Sequence, residues 1–163
     1  MATWGDFSRS EPEFAKLVKA RFDSHKHKML ATLRKDGSPR LSGIEATFAN
    51  GQLWLGMMPG SLKALDLRRD PRLALHSASV DPEMPEGDAK LAGRATEHTD
   101  DGTKNSFAAA VKDASGEDMP PGPFHLFSID IEEAVLIRVG DPADHLVIET
   151  WREGQGLKRI KRS

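Results

Sequence analysis

The sequence predicts a mainly β, α+β fold: an antiparallel β-barrel, closed or nearly closed, with helices at its periphery. Three observations predict it. Hairpin signals at Lys35-Asp36-Gly37 and Asn50-Gly51 separate short β-type runs, and turns of this kind require antiparallel neighbours. Roughly seven strand-like runs occur beside two or three helical ones without regular alternation, and closing such a sheet removes its exposed edges. No Gly-x-Gly-x-x-Gly stands between a strand and a helix, which sets aside a parallel dinucleotide-binding fold. A chain of 163 residues fits one domain, with residues 1–9 and 153–163 read as flexible or interface tails.

The elements follow in order. Ser10 and Glu13 have capping-box spacing, and Phe14, Leu17, Val18 and Phe22 recur at helical intervals, so the first element is a helix with one apolar face. From Lys28 the period becomes two. Lys28–Arg34 sets Met29, Ala31 and Leu33 on one face, Arg40–Phe48 is the second strand, Gln52–Met57 the third, and together they form a meander. Pro59-Gly60-Ser61 ends the third strand. Ser61 then caps a short helix whose apolar positions are Leu62, Leu65 and Ala64, finishing before Asp70-Pro71. Arg72–Ser77 is a strand, Asp81–Gly87 a proline-bearing loop and Lys90–Glu97 a strand. Thr103–Lys112 is an amphipathic helix with Phe107, Ala110 and Val111 inward. After a Gly/Pro-rich loop, Phe124–Ile131, Glu133–Val139 and His145–Arg152 complete the strands.

Composition bounds the chemistry. With no cysteine there is no disulfide, thiolate nucleophile or cysteine-bound metal. No stretch approaches ~18 uninterrupted apolar residues, which speaks against a membrane span. Met1–Ser10 lacks the apolar segment of a signal peptide, so the expected compartment is the cytoplasm. The net charge is −2, but Trp151–Ser163 carries +4 and the preceding residues −6. A cationic tail on an acidic body can meet an anion or a partner. The alternative is a solvated terminus. A pI near 6.3 argues against a dedicated nucleic-acid binder.

The most suggestive segment is Pro59–Arg72, PGSLKALDLRRDPR. A strand stops, a glycine permits close backbone approach, and a helix begins with unpaired N–H groups that attract phosphate. Ser61 adds a hydroxyl. Lys63 puts an ammonium in the first turn, where the helix dipole opposes it unless an anion binds. The alternative is an ordinary capped helix with a solvated lysine.

This arrangement of a helix, a meander, a short helix opening Ser-x-Lys, "DLRRDPR" and a further strand resembles the flavin-type split-barrel family. That family includes pyridoxamine-phosphate oxidase relatives and enzymes using the deazaflavin coenzyme F420. The resemblance spans most of Phe14–Val139 and is best at GSPRLS (Gly37–Ser42) and LKALDLRRDPR (Leu62–Arg72). It implies a pyridoxamine-phosphate-oxidase-like split barrel that binds F420, slightly favoured by "LRRDPR", or FMN. The implied cofactor contacts are Arg40, Leu41, Ser42 and Gly43 on the second strand, Met57 and Met58 near the ring, and Ser61 with Lys63 at the phosphate. The resemblance also implies a homodimer with the site at the subunit interface, where Trp151 and the basic tail could cover the partner's cofactor. Two departures stand out. Pyridoxamine-phosphate oxidases carry Arg-x-x-x-x-Lys on that strand, whereas Glu45 stands five beyond Arg40. Many relatives have arginine where Ser61 stands. A strict pyridoxamine-phosphate oxidase is therefore not expected, and Arg68, Arg69 or the tail would have to supply the missing charge.

No nucleophile elbow and no His-Glu-x-x-His occurs, as suits an enzyme whose cofactor carries the hydride. No catalytic side chain and no metal site is assigned. His25 and His27 suit a helix C-terminus better than a metal. His76 and His98 stand at strand ends, where either could face a pocket. His125 and His145 carry no pattern. Trp54 reads as core, Trp4 as part of a loosely tethered end. The expected function is hydride transfer to a small substrate. The rival expectation is a non-enzymatic barrel that carries or senses haem or another planar ligand.

Overall fold

Side-chain alternation decides which strand faces build the core. The computed structural model describes all residues from Met1 to Ser163. In β1 (Lys28–Leu33) the buried residues are Lys28, Leu30 and Thr32, whereas Met29 faces out. The apolar-looking set Met29, Ala31 and Leu33 therefore lies on the outer face, a reversal of the simplest pattern. The remaining strands are β2 (Pro39–Ile44), β3 (Thr47–Ala49), β4 (Gln52–Met57), β5 (Arg72–His76), β6 (Asp88–His98), β7 (His125–Val139), β8 (Leu146–Arg152) and β9 (Gly156–Arg162).

All pairings are antiparallel, and the main path runs β2-β1-β5-β6-β7-β4-β3. The two ends of that path, β2 and β3, are consecutive in sequence and separated only by Glu45 and Ala46. The expected single strand Arg40–Phe48 is thus bent, and the bend carries the chain across the open seam of the barrel. β7 is one strand of 15 residues rather than two. Its first half pairs with β4 and its second half with β8, so the sheet forks there. A register shift at Ala92/Gly93 absorbs the extra residue Glu132, as a β-bulge does.

Two helices, not one, open the chain: α1 (Trp4–Ser10) and α2 (Pro12–Asp23). The capping box is formed by Thr3 and Asp6, whose side chains and backbone N–H groups exchange bonds. Ser10 instead closes α1, its Oγ donating to Phe7 O at 2.9 Å. Trp4 and Phe7 are buried, so the first residues are anchored rather than loose. They join Phe14, Val18, Phe22, Leu30, Leu55, Ile129 and Leu136 in one core that fills the barrel. Leu17 stays exposed. α3 (Leu62–Arg69) buries Ala64, as expected, together with Asp66 and Leu67, but leaves the expected Leu62 and Leu65 outside. α4 (Asp101–Ser115) lays Phe107 on Trp54 and Leu126 in a separate small cluster. No helix is long and apolar enough to cross a membrane.

The C-terminal segment is the other departure. Gly154 and Gln155 lie in the turn of the β8–β9 hairpin, Gly156 opens β9, and the basic tail read as flexible is that paired strand. Trp151 is 4% exposed and packs on Phe7 with ring centroids 4.7 Å apart. It is a core residue, and the structure removes it from the candidate cofactor contacts.

Candidate functional site

The two stretches singled out in the sequence meet where β2 passes α3. Alternation along β2 turns Arg40, Ser42 and Ile44 inward and leaves Leu41 and Gly43 exposed. At the end of β4, Met57 is buried in the core and Met58 is 79% exposed. Met57 is therefore not a surface contact for a ring, whereas Leu41 and Met58 are free to be. Gly60, at φ 71°, then takes the left-handed conformation that turns the chain into α3.

Ser61 is the N-cap of α3 but its side chain makes no capping bond. Its Oγ is buried without a partner, as is Ser42 Oγ across the seam. Buried hydroxyls normally find partners, so two unpaired ones on the facing elements suit a ligand that brings acceptor oxygens. Of the amides at this turn, Ser61 N–H donates to Met58 O at 3.2 Å and Gly60 N–H donates to His125 Nε2 at 3.1 Å. The N–H groups of Leu62 and Lys63 have no acceptor. The free donors of the helix start are thus these two, and not the whole cluster.

Lys63 crosses the seam. Its Nζ donates to Gly43 O at 2.8 Å, which leaves two N–H protons uncommitted. No carboxylate pairs with it, and burial alone lowers its pKa from the ordinary lysine value. A half-buried ammonium without a counter-ion, carried by the same first helical turn as two free amides, is an arrangement that favours an anion.

Arg40 is committed elsewhere. Its Nε donates to Asp66 Oδ2 at 2.7 Å, and Thr32 Oγ1 donates to the same oxygen at 2.8 Å. Arg69 Nη1 stands 3.5 Å from Asp66 Oδ1. Burial of Asp66 pushes its pKa up, but the bonds from Arg40 and Thr32 and the charges of Arg40 and Arg69 outweigh it, so the carboxyl lies below its usual range. Asp66 therefore ties α3 to β1 and β2, and the inward strand residue expected at the cofactor acts instead through this buried tie.

The arginines expected to replace missing phosphate charge are also engaged. Arg68 grips both oxygens of Glu97, Nε to Oε2 at 2.7 Å and Nη2 to Oε1 at 2.8 Å. Arg69 donates to Leu33 O at 3.2 Å, and Arg72 pairs with Asp70. The tail strand β9 pairs only with β8 at the far arm of the sheet. Among the histidines, His98 Nε2 lies 2.8 Å from Ser128 Oγ, and His76 Nδ1 lies 2.6 Å from Ser77 O. His125, which carried no pattern in the sequence, touches the turn directly. Its partner Glu97 is 28 residues away, and only the pairing of Met57 with His125 brings it there.

Comparison with known proteins identifies the family and the fold. The family model described as "Pyridoxamine 5'-phosphate oxidase" matches residues 14–138. A pyridoxamine 5'-phosphate oxidase-related, FMN binding protein from Nostoc punctiforme superposes with a TM-score of 0.64 at 16% identity, covering 94% of this chain and 96% of that one. A structure described as an F420 reductase gives 0.56 at 15% identity over 72% and 94% of the two chains. HutZ, the haem storage protein from Vibrio cholerae, gives 0.57 at 18% over 76% and 90%. At these identities the likeness is one of fold. Among curated proteins nothing matches.

Proposed function

Because the chain belongs to the pyridoxamine 5'-phosphate oxidase family, we propose that it binds coenzyme F420 or FMN at the β2–α3 seam and is an oxidoreductase acting on a small substrate. The observation that carries this is Lys63: a half-buried ammonium with no carboxylate partner, bonded to Gly43 O and adjoining the free amides of Leu62 and Lys63. When bound, the cofactor supplies hydride transfer. The chain's own residues bind, orient and shield it. Lys63, the two amides and the Ser61 hydroxyl hold the phosphate. The exposed Leu41 and Met58 offer an apolar edge to the ring, and a second subunit over that edge would exclude water.

A strict pyridoxamine-phosphate oxidase activity finds no support, since Glu45 stands where that enzyme's second cation is expected and Arg68 is spent on Glu97. F420 remains slightly favoured over FMN on the "LRRDPR" stretch. The rival is a carrier of haem or another planar ligand. It draws support from His76, whose Nδ1 engages a backbone carbonyl and leaves Nε2 open for a metal.

The phosphate assignment is tested by fluorescence titration of FMN and of F420. Lys63→Glu should abolish binding while the thermal midpoint holds, and unchanged affinity removes the assignment. Turnover of reduced cofactor with a panel of acceptors separates the enzyme from the carrier, which would bind haemin and turn over nothing.

A further inference from the structure

The cluster of Arg68, Glu97 and His125 alongside α3 has no part in holding a cofactor directly, yet through His125 it is wired to the turn that does. Glu97 comes from β6, His125 from the first residue of β7, and Arg68 from the last turn of α3. Both Glu97 oxygens accept from Arg68, and Glu97 Oε1 also lies 3.1 Å from His125 Nδ1. On the other side of the ring, Nε2 stands 3.1 Å from Gly60 N.

These contacts leave one assignment of ring protons. The Gly60 amide can only donate, so Nε2 facing it must be an unprotonated acceptor. Glu97 is a carboxylate held below its usual pKa, first by the Arg68 bond and further by His125. It can only accept, so Nδ1 must carry the proton. Arg68 Nη2 comes within 3.3 Å of Nδ1, but both are then donors. That approach is proximity through the shared carboxylate oxygen and not a bond.

We infer that His125 is a positioning residue for the anion-binding turn: its Nε2 holds the Gly60 N–H, and the Glu97–Arg68 pair fixes the ring in the tautomer able to do so. The inference deepens the site assigned to Lys63 and rests on that reading. Its physical content is a closed circuit. Gly60 precedes α3 and Arg68 closes it, so both ends of one eight-residue helix are referenced to β6 and β7 through a single imidazole and a single carboxylate. Gly60, in its left-handed conformation, has its amide drawn to the ring and out of competition. Leu62 and Lys63 are left as the donors that an incoming phosphate meets. Fixing the turn before binding lowers the ordering cost of the complex. The gain falls on the phosphate and not on the ring, which touches other residues.

The test compares a phosphate-bearing ligand with its phosphate-free core: FMN with riboflavin, and F420 with its bare deazaflavin. His125→Leu, which cannot accept from Gly60, should weaken the phosphate-bearing ligand about tenfold, the worth of one hydrogen bond, with the core's affinity unchanged. His125→Gln supplies an amide oxygen in reach of Gly60 and should restore most of the loss. Glu97→Gln keeps the packing but frees the tautomer, and should show the same selective loss if the leucine variant fails to fold. Nitrogen-15 spectra of the unliganded wild type should place the proton on Nδ1 and show coupling from the Gly60 amide to Nε2. A proton on Nε2, or a leucine variant that keeps the full preference for the phosphate-bearing ligand while Lys63→Glu loses it, overturns the role of His125 alone. A wild type with no such preference, unaffected by Lys63→Glu, overturns the phosphate site and this inference with it.

Discussion

Asp66 is 2% exposed and accepts from Thr32 and Arg40 on two different strands, so one carboxylate sets the distance from α3 to the sheet beneath it. Asp66→Asn leaves Arg40 facing a neutral group. The expected loss is about 2 kcal/mol in urea denaturation, below the ~3–5 kcal/mol of a wholly buried pair because Arg40 keeps some contact with water. The pH dependence has a definite sign. The folded-state pKa of Asp66 is depressed, so its contribution is present above the ordinary carboxylate range, near about 4, and fades as pH falls through the folded value. Asp70, held by Arg72 to about 2, behaves in the same sense. Acid titration of stability should therefore flatten in the asparagine variant as pH falls below about 4, while the Asp70 contribution persists. At this scale the sequence was partly legible. Ser61 and Lys63 were singled out because a strand-to-helix turn with a lysine is a local signal, and the β2 residues because their stretch resembles the family's. Trp151 and Met57 were misplaced because burial of a strand residue depends on which face meets the core. His125 was missed because its meaning comes from Glu97 and Gly60, which only the folded sheet brings near.

The elements show where local pattern suffices and where it does not. The hairpin turns, β4, β5 and the Ser61 helix start were legible, since Asn-Gly and Pro-Gly-Ser act within a few residues. α1 was not: in seven residues it buries only Trp4 and Phe7, too few to display a period, although Thr3-x-x-Asp6 was a readable cap. β9 was hidden because GLKRIKR has no apolar alternation and draws its place from pairing with β8. Its cations also suit an unpaired edge, where charge discourages further strand addition. The bulge that lets β7 run unbroken beside β6 depends on Gly93, where an added Cβ would fall on the Asp130 carbonyl oxygen. Gly93→Ala should cost about 3 kcal/mol or more and lower the thermal midpoint accordingly. Gly43→Ala, with open space around its Cβ, should leave that midpoint nearly unchanged.

For the whole molecule, the barrel and its near-closure were expected from turn spacing and edge protection, but the means was not, because it depends on the bend at Glu45-Ala46 that splits one expected strand between the two ends of the sheet. The outer face that results carries mostly small and apolar side chains on its central strands. The pairing registers align Leu41, Ala31, Ala74 and Ala92 in one row and Gly43, Met29, His76 and Lys90 in the next. Leu41 is 70% exposed and Met29 44%. A face of this kind, running up to the Lys63 seam, supports the proposed homodimer with its cofactor at the interface. Ala74→Glu, on a strand outside the seam, should convert the dimer to a folded monomer in light scattering, and a wild-type monomer would remove the interface proposal. The central claim is that a phosphate docks on the free amides opening α3, against Lys63. Nitrogen-15 chemical-shift mapping with FMN and with riboflavin tests it most directly. The Leu62 and Lys63 amides should move strongly with FMN and barely with riboflavin. The claim is contradicted if both amides stay fixed while FMN shifts residues elsewhere, such as the β8–β9 hairpin.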